Sequence, residues 1–121
     1  MAYDEDLANR IRELLASQAA VSEQRMFGGL AFLVNGNMAI AASRQGGVLV
    51  RVDPVTADGL VSRTKAEVAD MGGRTMRGWL RVEANDVRTK RQLAPWVERS
   101  IAYASGLPPK RGQKTGRRLS R

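Results

Sequence analysis

Apolar and polar positions alternate with different periods along the chain, and the period changes mark its elements. Over residues 4–19, Leu7, Ile11, Leu14 and Leu15 recur at a 3.6-residue period, which predicts a helix with one apolar face. Asp4, Glu5 and Asp6 stand at its start, where acids favour the helix macrodipole, and Asp4 is a candidate N-cap. Arg10 and Arg12 fall outside the apolar stripe. Beyond it the texture becomes strand-like. "GLAFLV" (29–34) and "MAIAA" (38–42) are apolar runs separated by "NGN". Asn35-Gly36 is the pair that a two-residue type I′ hairpin prefers, because both positions need positive φ. "SRQGG" (43–47) is a second turn, leading into the half-buried alternation of "VLVRV" (48–52). Residues 29–52 therefore read as a three-stranded antiparallel meander.

Asp53 followed by Pro54 is a helix start signal, and "DPVTADGLVSR" (53–63) reads as a short helix weakened by Gly59. Residues 64–76 read as loop with a short extended piece, and "RGWLRVE" (77–83) as a further strand. The last element runs from about Val87 to Ala104, with Leu93, Trp96, Val97, Ile101 and Ala104 at helical spacing. Pro95 removes one helical hydrogen bond, so this helix is expected to start near Ala94 or to bend there. The order is α-β-β-β-α-β-α. It predicts an α+β fold: a two-layer sandwich, with an antiparallel sheet of the meander plus one or two further strands against helices.

Within that sheet, alternation assigns Leu30, Phe32, Val34, Val48, Val50, Val52, Leu80 and Val82 to the helix side. The opposite face then holds Ala31, Leu33, Ala39, Ala41, Leu49 and Trp79. That face is too apolar to be left wet, which points to a partner surface, most simply a homodimer through the sheet. Inverting the assignment would place Trp79 in the core.

The composition fits one soluble domain: 121 residues, 43% hydrophobic, 26% charged and only 5% aromatic. Without cysteine there is no disulfide framework or thiol chemistry, which suits a reducing compartment. The start "MAYDEDLANR" is unlike a secretory signal, and no apolar run is long enough to cross a bilayer. The cytoplasm is the simplest address, with no membrane partner. The net charge of +8 is mostly a tail property. Lys110, Arg111, Lys114, Arg117, Arg118 and Arg121 are six of the twenty bases, which leaves fourteen against twelve acids and a body of +2. Residues 1–107 are thus expected to be the folded domain and 108–121 a disordered basic tail. The tail is either a solubilising end or an electrostatic arm giving weak, sequence-independent, salt-dependent nucleic-acid binding. No aromatics interleave its cations, so base stacking is not indicated.

The candidate chemistry is sparse. There is no histidine, so neither histidine catalysis nor a His/Cys metal site is expected. Glu23, Asp53, Asp58, Glu67, Asp70, Glu83 and Asp86 are scattered, with no spacing that pairs a general acid with a base. A hydroxyl nucleophile would need Lys65 or Lys90 as its base, with no signature around either. Gly28-Gly29 and Gly72-Gly73 could cradle a phosphate, yet neither lies in a recognised phosphate-binding pattern. The plainer reading of "RMFGG" (25–29) is a bend anchored by Met26 and Phe27. Five body arginines, Arg25, Arg51, Arg74, Arg77 and Arg81, come from strands or their edges. Either they gather on one surface that receives an acidic partner or nucleic acid, or they form a solvated face interleaved with acids. With Leu33, Leu49 and Trp79 they make the candidate partner surface. No catalytic, cofactor-binding or metal-binding residue is assigned, and an enzyme is the weakest reading.

"RMFGGLAFLVNGNMAIA", "VLVRV", "GGRTMRGWLRV" and "LAPWVERSIAYASGLPPK" together resemble the N-terminal domain of TfoX/Sxy-type competence regulators, over roughly residues 5–110. The matching positions are Arg25, Met26, Phe27, Gly28, Gly29, Gly36, Arg51, Val52, Met76, Gly78, Trp79 and Trp96. The resemblance implies a two-layer α+β fold and a non-enzymatic role. Proteins of this type are positive regulators of DNA-uptake genes and work with the cyclic-AMP receptor protein at promoters. They also carry a second domain resembling helix-hairpin-helix modules. Here the basic tail stands where that domain would begin, so a single-domain member is expected and sequence-specific DNA binding is not carried over. The resemblance implies a cofactor-free regulatory or adaptor domain acting on a protein partner, such as a transcription factor, or as a homodimer.

Overall fold

The computed structural model describes residues 3–26, 28–71 and 74–109, and at 70, 71 and 74–77 the backbone alone. Its elements are α1 (Glu5–Leu14), β1 (Val21–Met26), β2 (Gly29–Val34), β3 (Asn37–Ala42), β4 (Val48–Arg51), α2 (Pro54–Arg63), β5 (Glu67–Met71), β6 (Arg74–Val82), a 3-10 turn (Ala84–Val87) and α3 (Lys90–Ser105). The strands form one antiparallel sheet in the order β1-β2-β3-β4-β6-β5. The α+β architecture and the meander β2–β4 are as alternation predicts. The sheet is wider than expected, because β1 and β5 extend it at its two edges.

Start signals written in the sequence act as predicted. The Asp4 carboxylate accepts from the Leu7 N–H at 3.2 Å, and Leu7, Ala8 and Ile11 are buried along the stripe. The helix ends at Leu14 rather than at residue 19. The Gln18 N–H turns back to the Leu15 carbonyl at 2.9 Å, and Ala20 adopts a φ of +63°, which no right-handed helix accommodates. Asn35 and Gly36 have φ of +52° and +82°, the primed hairpin turn their identities call for. The Asp53 carboxylate accepts from the Val55 N–H at 2.9 Å, with Pro54 opening α2.

Of the two expectations for Pro95, a start of α3 near Ala94 is not the one realised. Thr89 Oγ1 accepts from the Gln92 N–H, and Gln92 Oε1 accepts from the Thr89 N–H, each at 3.1 Å. This capping box starts the helix at Lys90, so Pro95 lies inside it. The missing Pro95 N–H would have met the carbonyl of Arg91, an exposed residue whose carbonyl water can serve.

The three helices lie with the inner face of the sheet around one core. Leu30, Phe32, Val48, Val50, Val52, Leu80 and Val82 pack there with Leu7, Ile11, Leu60, Leu93, Trp96 and Val97. Val34 joins them on the same side, against Ala104. Ala39 departs from the face that alternation predicts. The ladder shifts between Phe32 and Leu33, so that Phe32 pairs with Ile40 and Leu33 with Met38. Ala39 is left over as the bulged residue, and it packs with Val34 and Ala104 on the helix side rather than on the opposite face.

β1 shows what "RMFGG" does. Met26 pairs with Gly29, so β1 and β2 are joined as a tight hairpin, with two residues of sequence between the paired positions. Gly29 lies against the Ala42 carbonyl, too close for any side chain. The Arg44 side chain lies against Gly28. The segment is a hairpin bend, and Met26 packs on the outer face of the sheet. Phe27, its other proposed anchor, lies outside the described residues, as do Gly72 and Gly73.

Candidate partner-binding surface

The outer face of the sheet carries a second, smaller apolar cluster that no helix among the described residues covers. Ala31, Leu33 and Ala41 are buried there beneath half-buried Met26, Met38 and Leu49. The register explains the gathering: Ala31 pairs with Ala41, Leu33 with Met38, and Ala41 with Leu49. Small alanines lie under long, flexible side chains. The atoms offered to solvent are therefore mainly two thioethers and a leucine, side chains that adapt to an incoming surface.

Two arginines flank this strip. Arg51 is in register with Trp79 across β4 and β6. Its guanidinium carbon lies 5.1 Å from the Trp79 ring centroid and 5.6 Å from that of Tyr103, so it is held by two aromatic rings. Tyr103 belongs to α3, so this cation links the end of the sheet to the helix layer. Arg81 is in register with Leu49, donates from Nη1 to Ser43 Oγ at 3.2 Å, and has Nε 3.6 Å from a Glu83 carboxylate oxygen.

The five body arginines do not form one surface. Arg51 and Arg81 adjoin the outer strip. Arg25 lies on β1 in register with Leu30, a core residue, and so points to the helix side at the opposite edge of the sheet. Arg74 and Arg77 belong to the β6 backbone, and their side chains lie outside the described residues. Of the apolar candidates, Leu33 is buried and Leu49 and Trp79 are half-buried. The tail candidates Lys110, Arg111, Lys114, Arg117, Arg118 and Arg121 lie outside the described residues.

Strand parity alone does not place Met26, Met38 or Tyr103 on this surface; Met26 enters the sequence reading only through the family motif, as a fold or possible partner-surface residue. The signal for Tyr103 was available: it follows Trp96 by seven positions and so shares its side of the helix. Tyr103 also lines a groove of about 590 Å³ between α2 and α3, with Asp53, Leu60, Arg63, Arg99 and Leu107. Arg63 Nε there donates to the Gly59 carbonyl at 3.2 Å, and Arg99 lies 4.8 Å over the Trp96 ring. Asp53 is occupied in capping α2. The groove therefore places no acid–base couple on a common substrate position.

Among the described residues no cluster of three or more His, Cys, Asp or Glu could hold a metal. No helix among them is long and apolar enough to cross a membrane.

The chain was compared with known proteins. No curated protein matches it. The family model of the TfoX N-terminal domain matches residues 13–104. That span holds the whole sheet and nearly all of α3, and it includes Leu33, Met38, Leu49, Arg51, Trp79 and Tyr103. By this match the chain belongs to the TfoX N-terminal domain family, a family of competence-related regulatory domains.

Proposed function

We propose that this chain is a non-enzymatic regulatory or adaptor domain that acts by protein–protein contact through the outer face of its sheet. The observation that carries the reading is the half-buried apolar strip of Met26, Met38 and Leu49 over buried Leu33, which no helix among the described residues covers, flanked by Arg51 and Arg81. An apolar centre with a polar, arginine-bearing rim is the anatomy of a non-obligate interface. The chemistry of the partner follows: a protein segment with apolar residues for the methionine strip and acceptors for the two guanidinium groups. A transcription factor is the class of partner that family membership favours. Several acids are engaged in structural contacts, Asp4 and Asp53 in capping helices and Glu23 and Glu83 in pairing with arginines, and this supports a non-enzymatic role.

Photo-crosslinking in the native cell tests this. A benzophenone side chain is placed at Leu49 in the strip, or at Val55 of α2, which is 83% exposed. The expected result is a discrete protein adduct from Leu49 and none from Val55. Adducts from Val55 alone, or equally from both, would move the interaction off the sheet.

A further inference from the structure

Among the described residues nothing pairs with the outer side of β1, and its sequence is complementary to itself in one register. Residues Ser22–Arg25 are exposed, and the strand has a neighbour on one side only. The two-residue connection makes Met26 and Gly29 a hydrogen-bonded pair, so even-numbered residues of β1 direct their backbone polar groups at β2. The Asn35 N–H, which donates to the Ala20 carbonyl at 3.0 Å, continues this phase. Val21, Glu23 and Arg25 therefore present their N–H and C=O groups outward.

A second copy adding antiparallel to this edge must pair odd residues with odd residues. Four registers within the strand satisfy that. The one centred on Ser22 sets uncharged Val21 against Glu23, leaves Arg25 outside the ladder and joins only three residues of each strand. The other three differ in charge. One sets Glu23 against Glu23, and another sets Arg25 against Arg25. The third, centred on Gln24, sets Glu23 of each chain against Arg25 of the other, twice. Like charges directly opposite are unfavourable in a ladder and opposite charges favourable, so charge selects the third. Charged residues ordinarily blunt a sheet edge. Two opposite charges placed two residues apart blunt it against other strands while matching it to a copy of itself.

We propose that β1 is a homodimerisation edge, pairing antiparallel with β1 of a second copy about a two-fold axis at Gln24. Arg25 makes no ion pair with the described residues in a single chain. In the dimer it meets Glu23 of the other copy, whose carboxylate already accepts from Arg12 Nε at 2.6 Å and Nη2 at 2.8 Å. The axis is perpendicular to the sheet, so both outer faces lie on the same side. Met26, at the end of β1, then extends the apolar strip toward the seam. The pairing does not depend on which protein binds that strip.

Cross-linking tests the register, because the chain contains no cysteine. Gln24→Cys sets two thiols across a non-hydrogen-bonded pair, where Cα atoms lie roughly 4.5 Å apart, within disulfide range. Ser22→Cys pairs with Met26 instead. Under mild oxidation at several hundred micromolar Q24C is expected to form a covalent dimer quickly and S22C is not. Light scattering then reads charge. R25E and E23R should each be monomeric, and an equimolar mixture should recover the dimer mass, since every cross-strand pair is again opposite in sign. Recovery on mixing also shows that neither variant had merely lost its fold. The proposal fails if the native chain is monomeric at several hundred micromolar, if S22C cross-links as fast as Q24C, or if R25E stays dimeric.

Discussion

Asn37 Nδ2 donates to the Pro108 carbonyl at 2.9 Å, which ties the β2–β3 hairpin to the chain just after α3. Asn37 is 5% exposed, one of two buried polar residues among those described, and its partner lies 71 positions away. The contact reaches one residue past the body boundary that composition suggests. Replacing Asn37 with Ala removes the donor and leaves the Pro108 carbonyl to water, at a cost of about 1 kcal/mol. Asn37→Asp sets a carboxylate against that carbonyl and should cost more, roughly 2–3 kcal/mol at neutral pH. Denaturant unfolding of both variants checks the order. Equal costs would mean that the side chain matters only for its shape.

The same contact decides where to cut the basic tail. Truncation after residue 107 would remove the Pro108 carbonyl, whereas a chain ending at Pro109 keeps it. If the six cations beyond Pro109 act as an electrostatic arm, the full chain binds duplex DNA weakly with a log–log salt slope no steeper than about −5. The 1–109 chain then loses that binding. Fluorescence anisotropy at two salt concentrations reads both. Affinity that survives the truncation would assign DNA contact to the body.

Much of this fold is legible in the sequence, and what is not has identifiable causes. Asn35-Gly36, Asp53-Pro54 and the alternating valines of β4 specify local geometry strongly, and the structure follows them. β1 is not legible because "VSEQRM" is polar nearly throughout: an edge strand here needs no buried face. Arg25 was grouped with Arg51 for that reason, since without β1 its side of the sheet is undefined. Ala39 was assigned to the wrong face because alternation counts by twos, and the bulge beside it inserts one residue that no turn signal announces. The strip itself was half visible. Leu33 and Leu49 follow from parity, whereas Met26 needs β1 and Met38 needs the bulge.

Gly78 and Gly46 separate two costs of replacing a glycine. Both have positive φ, +86° and +91°. A Cβ at Gly78 would stand 3.0 Å from Pro54 Cγ and 3.1 Å from the Val52 carbonyl oxygen, where β6 packs against the start of α2. At Gly46 it would meet nothing within 4 Å. Gly46→Ala should therefore cost only the backbone term, about 1–2 kcal/mol. Gly78→Ala adds a steric clash with groups that cannot swing away and should cost at least about 1 kcal/mol more. The Val52 N–H to Gly78 carbonyl bond, at 2.8 Å, would be strained with it. Thermal unfolding of the two variants side by side makes the comparison. Equal shifts would place the whole effect in φ.

The Arg12–Glu23 pair joins α1 to the edge strand and has a pH signature of known sign. Hydrogen bonds from Arg12 hold the Glu23 carboxyl below the ordinary glutamate range, against a smaller opposing effect of burial. A carboxyl lowered in the folded state stabilises it fully above the unfolded value, about 4.3. The contribution disappears as pH falls through the folded value. Arg12 is shifted upward by the same contact, so its contribution is lost only in strong alkali. The two side chains remain 42% and 38% exposed, and solvent screening limits the pair to below about 1 kcal/mol. Glu23→Gln should therefore lower the melting temperature by a few degrees at pH 7 and by progressively less as the pH falls toward and through the folded value, with the pH 7 effect shrinking in high salt. The measurement belongs at low micromolar protein, where association through β1 is least. A deficit that does not shrink as the pH falls would show that the substitution acts through packing rather than charge.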